Sequence, residues 1–204
     1  MSSTPPIYLQ PYLNATKKYG AGFGSLLWAS PKTQAVRFAA LLRATDCMGK
    51  VVLDAGCGRA DLLEFMLGRA VYPMRYLGLE AVETLAAAAE KKRLPNGRII
   101  RGDFVSDPQQ LEVDADVIFF CGSLNTLDDG AFYQSIAHAF SAAKDSLVFN
   151  FLCSPQLAAS SHLTWHEPEA LLAFAGKLSD HVRFWDDYLQ GDGTVAIRKD
   201  SGQL

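Results

Sequence analysis

Short apolar runs alternate along the chain with longer stretches in which apolar residues recur every three or four positions. The runs VVLDAG (51–56), RYLGLE (75–80), GRIIRGD (97–103), DADVIFFCG (114–122) and DSLVFNFLC (145–153) read as strands. Between and after them, DLLEFMLGRA (61–70), VETLAAAAEKK (82–92), FYQSIAHAFSAA (132–143) and EPEALLAFAGKL (167–178) read as helices. Ahead of the first strand, PKTQAVRFAALLRA places Ala35, Phe38, Leu41 and Leu42 on one face, with Ser30 and Pro31 as cap and first turn. That spacing predicts a helix over 31–45. The chain closes with VRFWDDY (182–188) and TVAIRK (194–199), a hairpin around Gln190, Gly191, Asp192 and Gly193.

Continuously apolar strands alternating with helices predict a parallel sheet covered on both faces. The terminal pair has no helix-length insert, so its last strand must run antiparallel to its neighbour. Five parallel strands closed by one hairpin make a mostly parallel seven-stranded α/β sheet with an antiparallel final strand. No internal repeat or low-complexity linker is evident, and only residues 1–20 look loosely specified. A length of 204 residues fits one domain. It divides into an N-terminal segment (1–30), a leading helix (31–46) and a core (50–199).

Charge and cysteine usage narrow the function classes. The formal net charge is −3 with no long basic run, which weighs against a primary role in gripping nucleic-acid backbones. No apolar run is long enough to cross a bilayer, and MSSTPPIYLQ lacks the features of a secretory signal. Cys47, Cys57, Cys121 and Cys153 are scattered without zinc-site spacing, as expected of reduced thiols in a cytoplasmic protein.

The chemistry concentrates where the first strand meets the next helix, at Asp54-Ala55-Gly56-Cys57-Gly58-Arg59-Ala60. Small residues there let the backbone approach a ligand, and the helix start supplies free N–H donors. A dinucleotide fingerprint needs a third glycine three residues after the second, and that position is Asp61. A carboxylate there would repel a pyrophosphate. Asp54, two positions before the first glycine, suits a cation or hydrogen-bond donors better than a phosphate, although as a strand-end carboxylate it would also cap the helix.

VVLDAGCGRAD resembles motif I of class I S-adenosylmethionine-dependent methyltransferases, with Ala60 where their third glycine normally lies. The resemblance continues through YLGLEAVETLAAAAE, GRIIRGDF, DADVIFFCGSLNTL and WDDYLQGDGTVAIRK, and covers roughly residues 28–199. It implies a Rossmann-like fold and S-adenosylmethionine as cofactor. It assigns cofactor contact to Asp54, Ala55, Gly56, Cys57 and Gly58, to Glu80 and Ala81 at the ribose, to Asp103 and Phe104 at the adenine, and to Cys121, Gly122, Ser123 and Leu124 beneath the methyl group. The Glu80 spacing from the loop also matches the ribose-binding carboxylate of nucleotide folds. A looser similarity links WASPKTQAVRF to a small-molecule-type subgroup carrying Ser-x-x-x-Gln-x-x-Arg-Phe on the leading helix.

The acceptor is less legible. No Asn-Pro-Pro-Tyr or Asp-Pro-Pro-Tyr box follows the fourth strand, where CGSLN stands, which favours a small-molecule or protein acceptor over a nucleobase. Trp28, Tyr19 and Arg37 are candidates for a lid over the acceptor, and Trp165 or His166 for contact with it after the fifth strand. His162 and His166 have the spacing of helical zinc ligands, but Pro168 starts a helix after them and no third ligand is evident, so no metal is expected. No residue stands out as a general base. The reading is methyl transfer to a small molecule, against a non-catalytic cofactor-binding module and an NAD-type oxidoreductase.

Overall fold

A computed structural model describes residues 5–158, 160 and 162–200. Seven strands form one sheet: β1 (Val51–Ala55), β2 (Arg75–Glu80), β3 (Gly97–Arg101), β4 (Val117–Phe120), β5 (Ser146–Leu152), β6 (His181–Trp185) and β7 (Asp192–Arg198), in the order β3-β2-β1-β4-β5-β7-β6. The pairs β1–β2, β2–β3, β1–β4 and β4–β5 are parallel, whereas β7 runs antiparallel to both β5 and β6. The chain order therefore reverses at β1, between β2 and β4. In open α/β sheets ligands lie outside the carboxyl ends of the strands at that switch point.

Strand side chains alternate between faces, so each strand feeds two cores. Leu53, Leu79, Ile118, Phe120 and Phe149 pack with α5 (Asp129–Ala142) and α6 (Pro168–Ala175) through Phe132, Ile136 and Leu171. Val52, Tyr76, Val117, Phe119 and Val148 pack on the other face with α2 (Pro31–Ala44), α3 (Asp61–Leu67) and α4 (Glu83–Lys91) through Phe38, Leu41, Leu63, Met66 and Ala89. Ser30 caps α2 in a reciprocal box, accepting from the Thr33 N–H at 3.1 Å while the Thr33 hydroxyl accepts from the Ser30 N–H. Helix α5 starts at Asp129, three residues before the predicted 132, because the Asp128 carboxylate caps it through the Ala131 N–H at 2.8 Å.

Residues 1–20 depart from expectation over the described part. Ile7–Leu9 form a 3₁₀ turn and α1 (Gln10–Tyr19) a regular helix that stops at Gly20, whose φ is +58°. The sequence QPYLNATKKY has no side-chain cap at its N-terminus and no acidic residue in its first turn. Its helix is held by tertiary contacts in which Tyr12 and Leu13 join Phe23 and Trp28 around Leu26, Val82 and Leu85. Among the described residues no helix is long and apolar enough to cross a membrane.

Candidate functional site

A cavity opens at the carboxyl ends of the first four strands, where ligands of open α/β sheets lie. From the β1 loop it is lined by Asp54, Gly56, Cys57 and Gly58, and from the end of β2 by Glu80 and Ala81. Asp103 and Phe104 follow from β3, then Cys121, Gly122 and Ser123 from β4. Of the thirteen expected cofactor positions, Ala55 and Leu124 are off the wall. Both are fully buried: the Ala55 carbonyl accepts the Ser123 hydroxyl at 2.6 Å, and Leu124 packs in the core with Phe120 and Phe132.

The β1 loop owes its path to backbone conformations that side chains resist. Gly56 has φ +82°, and a Cβ there would lie 2.3 Å from the Ser123 Cβ. Ala60, at the position of the motif's third glycine, also takes the left-handed conformation at φ 56°, ψ 36°. An alanine there carries strain of about 1 kcal/mol, against which its methyl is 1% exposed in the core.

Two buried carboxyls face the cavity. Asp54, 2% exposed, accepts the Tyr76 hydroxyl at 2.5 Å through Oδ2, while its Oδ1 has no partner among the described residues. Burial pushes its pKa up to about 7, and the Tyr76 hydrogen bond offsets only part of that. Glu80 accepts the Gly58 N–H through Oε2 and the Val82 N–H through Oε1, both at 2.7 Å, so it ties the glycine loop to the start of α4. Burial likewise raises Glu80 to about 7. Burial also works against the Asp61 charge, but Lys92 and Arg59 pair with it and hold its carboxyl below the ordinary value. The Asp61 carboxylate at the start of α3 is therefore ionised and neutralised by two cations.

The 3₁₀ turn and α1 add Tyr8, Leu9 and Tyr12 to the cavity wall. The Tyr8 hydroxyl donates to Asp103 Oδ2 at 2.7 Å, and the Val105 N–H donates to Asp103 Oδ1 at 3.0 Å. The four residues of the leading-helix pattern each have a physical task. Ser30 is the cap, Gln34 donates to Asp61 at 3.3 Å, Arg37 pairs with Asp192, and Phe38 packs edge-on against Trp28 and Phe65.

Trp28 and Arg37 line the cavity, whereas Trp165, His166 and Tyr19 do not. Tyr19 is 49% exposed and packs beside Gly24. After β5 the chain turns back so that the His166 N–H donates to the Leu152 carbonyl at 2.9 Å. The imidazole stacks on Phe132 at a centroid distance of 3.6 Å, and Trp165 is left on the surface. From this segment it is Leu163 that reaches the cavity. Asn125, Thr126 and Tyr12 line it without having been named in advance, and Asn125, 7% exposed, has an Oδ1 with no partner among the described residues. The signal for Asn125 and Thr126 is proximity to the β4 loop; Tyr12 has none. Among the described residues no cluster of three metal-ligating side chains occurs.

No family model and no curated protein sequence matches the chain. Solved structures do. The chain is similar to an O-methyltransferase family protein from Burkholderia thailandensis, with TM-score 0.74 and 17% identity over 99% of this chain and 66% of that one. It is similar to DhpI in a complex with SAM and HEP, with TM-score 0.71 and 15% identity over 95% and 99%. A magnesium protoporphyrin IX methyltransferase from Synechocystis PCC 6803 with bound SAM gives TM-score 0.68 and 15% identity over 98% and 100%. The Rossmann-like fold of the class I methyltransferases is thereby established.

Proposed function

We propose that this protein is a single-domain methyltransferase that binds S-adenosylmethionine and methylates a small-molecule acceptor. The observation that carries the reading is Asp54 Oδ1, a buried acceptor atom without a partner among the described residues, on a cavity wall shared with Gly56 and Gly58. That oxygen calls for a donor or cation from the ligand, and the cofactor brings both an ammonium and a sulfonium. Asp61 stands where a dinucleotide fingerprint needs its third glycine, which speaks against an NAD-type ligand.

In this reading Asp54 and the Gly56–Gly58 backbone hold the amino-acid end of the cofactor, Glu80 the ribose, and Asp103 with Phe104 the adenine. When bound, the cofactor supplies a methyl group on a sulfonium, whose leaving group is a neutral thioether. The chain's own task is then orientation and exclusion of water, which can supply much of the rate of an in-line displacement. Tyr8, Leu9 and Tyr12 line the cavity, while Trp28 against Gly122 narrows the far end. No histidine is on the cavity wall, which fits an acceptor that needs no imidazole base. Four cysteines without disulfide partners support a cytoplasmic setting.

Calorimetric titration of the purified protein with S-adenosylmethionine, S-adenosylhomocysteine and NADH tests this. Micromolar binding of the first two, weakened at least tenfold by Asp54→Asn and by Glu80→Gln, is the expected result. Binding of NADH alone, or of none of the three, would refute it.

A further inference from the structure

We propose that Arg37 is the anchor for a carboxylate on the methyl acceptor, and that Asp192 is the residue that positions it. The proposal rests on the methyl-transfer reading for what occupies the far end of the cavity. A guanidinium has two edges able to form paired hydrogen bonds. The Nε side of Arg37 is taken by Asp192 Oδ2, at 2.5 Å from Nε and also in contact with Nη2. The outer edge, Nη1 with the second Nη2 hydrogen, meets no protein acceptor among the described residues, and Arg37 is on the cavity wall with its side chain 14% exposed.

The guanidinium is held on its other sides as well. Its carbon sits 4.9 Å from the centre of the Trp28 ring. The Trp28 indole packs directly over Gly122, where a Cβ would lie 3.1 Å from the Trp28 ring. Behind Arg37, Asp192 is 1% exposed and accepts the Tyr188 hydroxyl at 2.9 Å through Oδ1. Tyr188 meets Thr194 at 2.7 Å, and Asn150 Nδ2 donates to the same Thr194 oxygen at 2.7 Å. Burying an ion pair is costly in desolvation and stabilises little by itself. A pair fixed on every side but one, with the free edge toward a ligand cavity, is instead the arrangement that recognition of a planar two-oxygen anion requires. Leu127 and Leu163 are on the same cavity wall as the polar Tyr12, Asn125 and Thr126. The acceptor class is therefore a small carboxylate.

The test titrates the full chain, saturated with S-adenosylhomocysteine, with benzoate, phenylacetate and hexanoate, each beside its primary amide. For at least one pair the carboxylate should bind about tenfold tighter than the amide, the difference between charged and neutral paired bonds. In Arg37→Gln that ratio should fall to about one. Arg37→Lys, which keeps the charge but not the fork, should give an intermediate value. Asp192→Asn should lower the ratio too, which a purely structural tether would not do. S-adenosylhomocysteine binding reports that each variant is folded. A ratio near one in the unaltered protein, a ratio unchanged in Arg37→Gln, or no probe bound while S-adenosylhomocysteine binds would each overturn the proposal. A carboxylate preference lost in Arg37→Gln without any S-adenosylhomocysteine binding would support the Arg37 assignment and overturn the cofactor reading alone.

Discussion

Lowering the pH from 7.5 to 6 should weaken cofactor binding steeply, because the two carboxyls that meet the ligand are buried. Burial raises Asp54 and Glu80 to about 7 each in the free site. A raised value means that the proton is held at pH 6 and must leave before the carboxylate can face a cation. A single group with that value is about three-quarters ionised at pH 7.5 and about one-tenth at pH 6, so each costs about eightfold in affinity. Because the two interact, they titrate as a pair, and the combined loss lies between about 8-fold and about 60-fold. The ligand's own α-amino group, with a reference value near 8, is mostly protonated at the top of this range and more fully at its foot, a smaller effect of opposite sign. The assay is calorimetry with S-adenosylhomocysteine at several pH values, in two buffers of different ionisation enthalpy, to count the protons released. Asp54→Asn should flatten the profile to that of one group. An affinity constant across this range, with no proton release in either buffer, would refute the reasoning. The same linkage applies to folding. Both groups have folded values above their unfolded ones, so their contribution to stability is present below about pH 4 and is lost as the pH rises through 7.

Three further outcomes follow from particular contacts. Gly56→Ala combines a left-handed φ with overlap onto Ser123, and should lower unfolding stability in urea by about 2–5 kcal/mol. Ala60→Gly relieves strain of about 1 kcal/mol but gives up a buried methyl worth about 0.8 kcal/mol, so its urea midpoint should stay close to that of the unaltered chain. A shift in stability above about 1.5 kcal/mol would show that one of these terms is misjudged. Burial holds His166 below its ordinary value, so acidification below about pH 6.5 should cost the protein stability through this residue. That loss, read from urea midpoints at pH 7 and 5.5, should be smaller in His166→Leu, and an identical loss in both proteins would contradict it.

The strands were legible because buried parallel strands are dominated by apolar residues, without interruption in VIFF and broken only by Asn150 in LVFNFL. Their ends marked the cavity wall, since glycine pairs and terminal carboxylates have local causes. What escaped depends on contacts distant in sequence. Tyr8 is ordered through a hydrogen bond to a residue 95 positions away, and nothing within QPYLNATKKY foretells that. Asp192, in a Gln-Gly-Asp-Gly run, reads as a turn residue. It starts β7 instead, and is buried because Arg37, 155 positions away, arrives beside it. His166 was placed at the correct sheet edge, yet one backbone hydrogen bond to Leu152 turns it inward onto Phe132.

The cavity wall includes Tyr8, from before the first helix, and Arg37, which is braced by a residue of the last strand. Synthesis delivers these parts at opposite ends of its course. At about 5–20 residues per second, the ribosome takes on the order of ten seconds or more to travel from Tyr8 to Asp192. Once residue 80 has been made, and until Asp192 is, the glycine loop and Glu80 exist while the brace behind Arg37 does not. A nascent chain can thus assemble the nucleoside half of the cavity well before the other half can be set, and ligand captured early would meet an unfinished partner site.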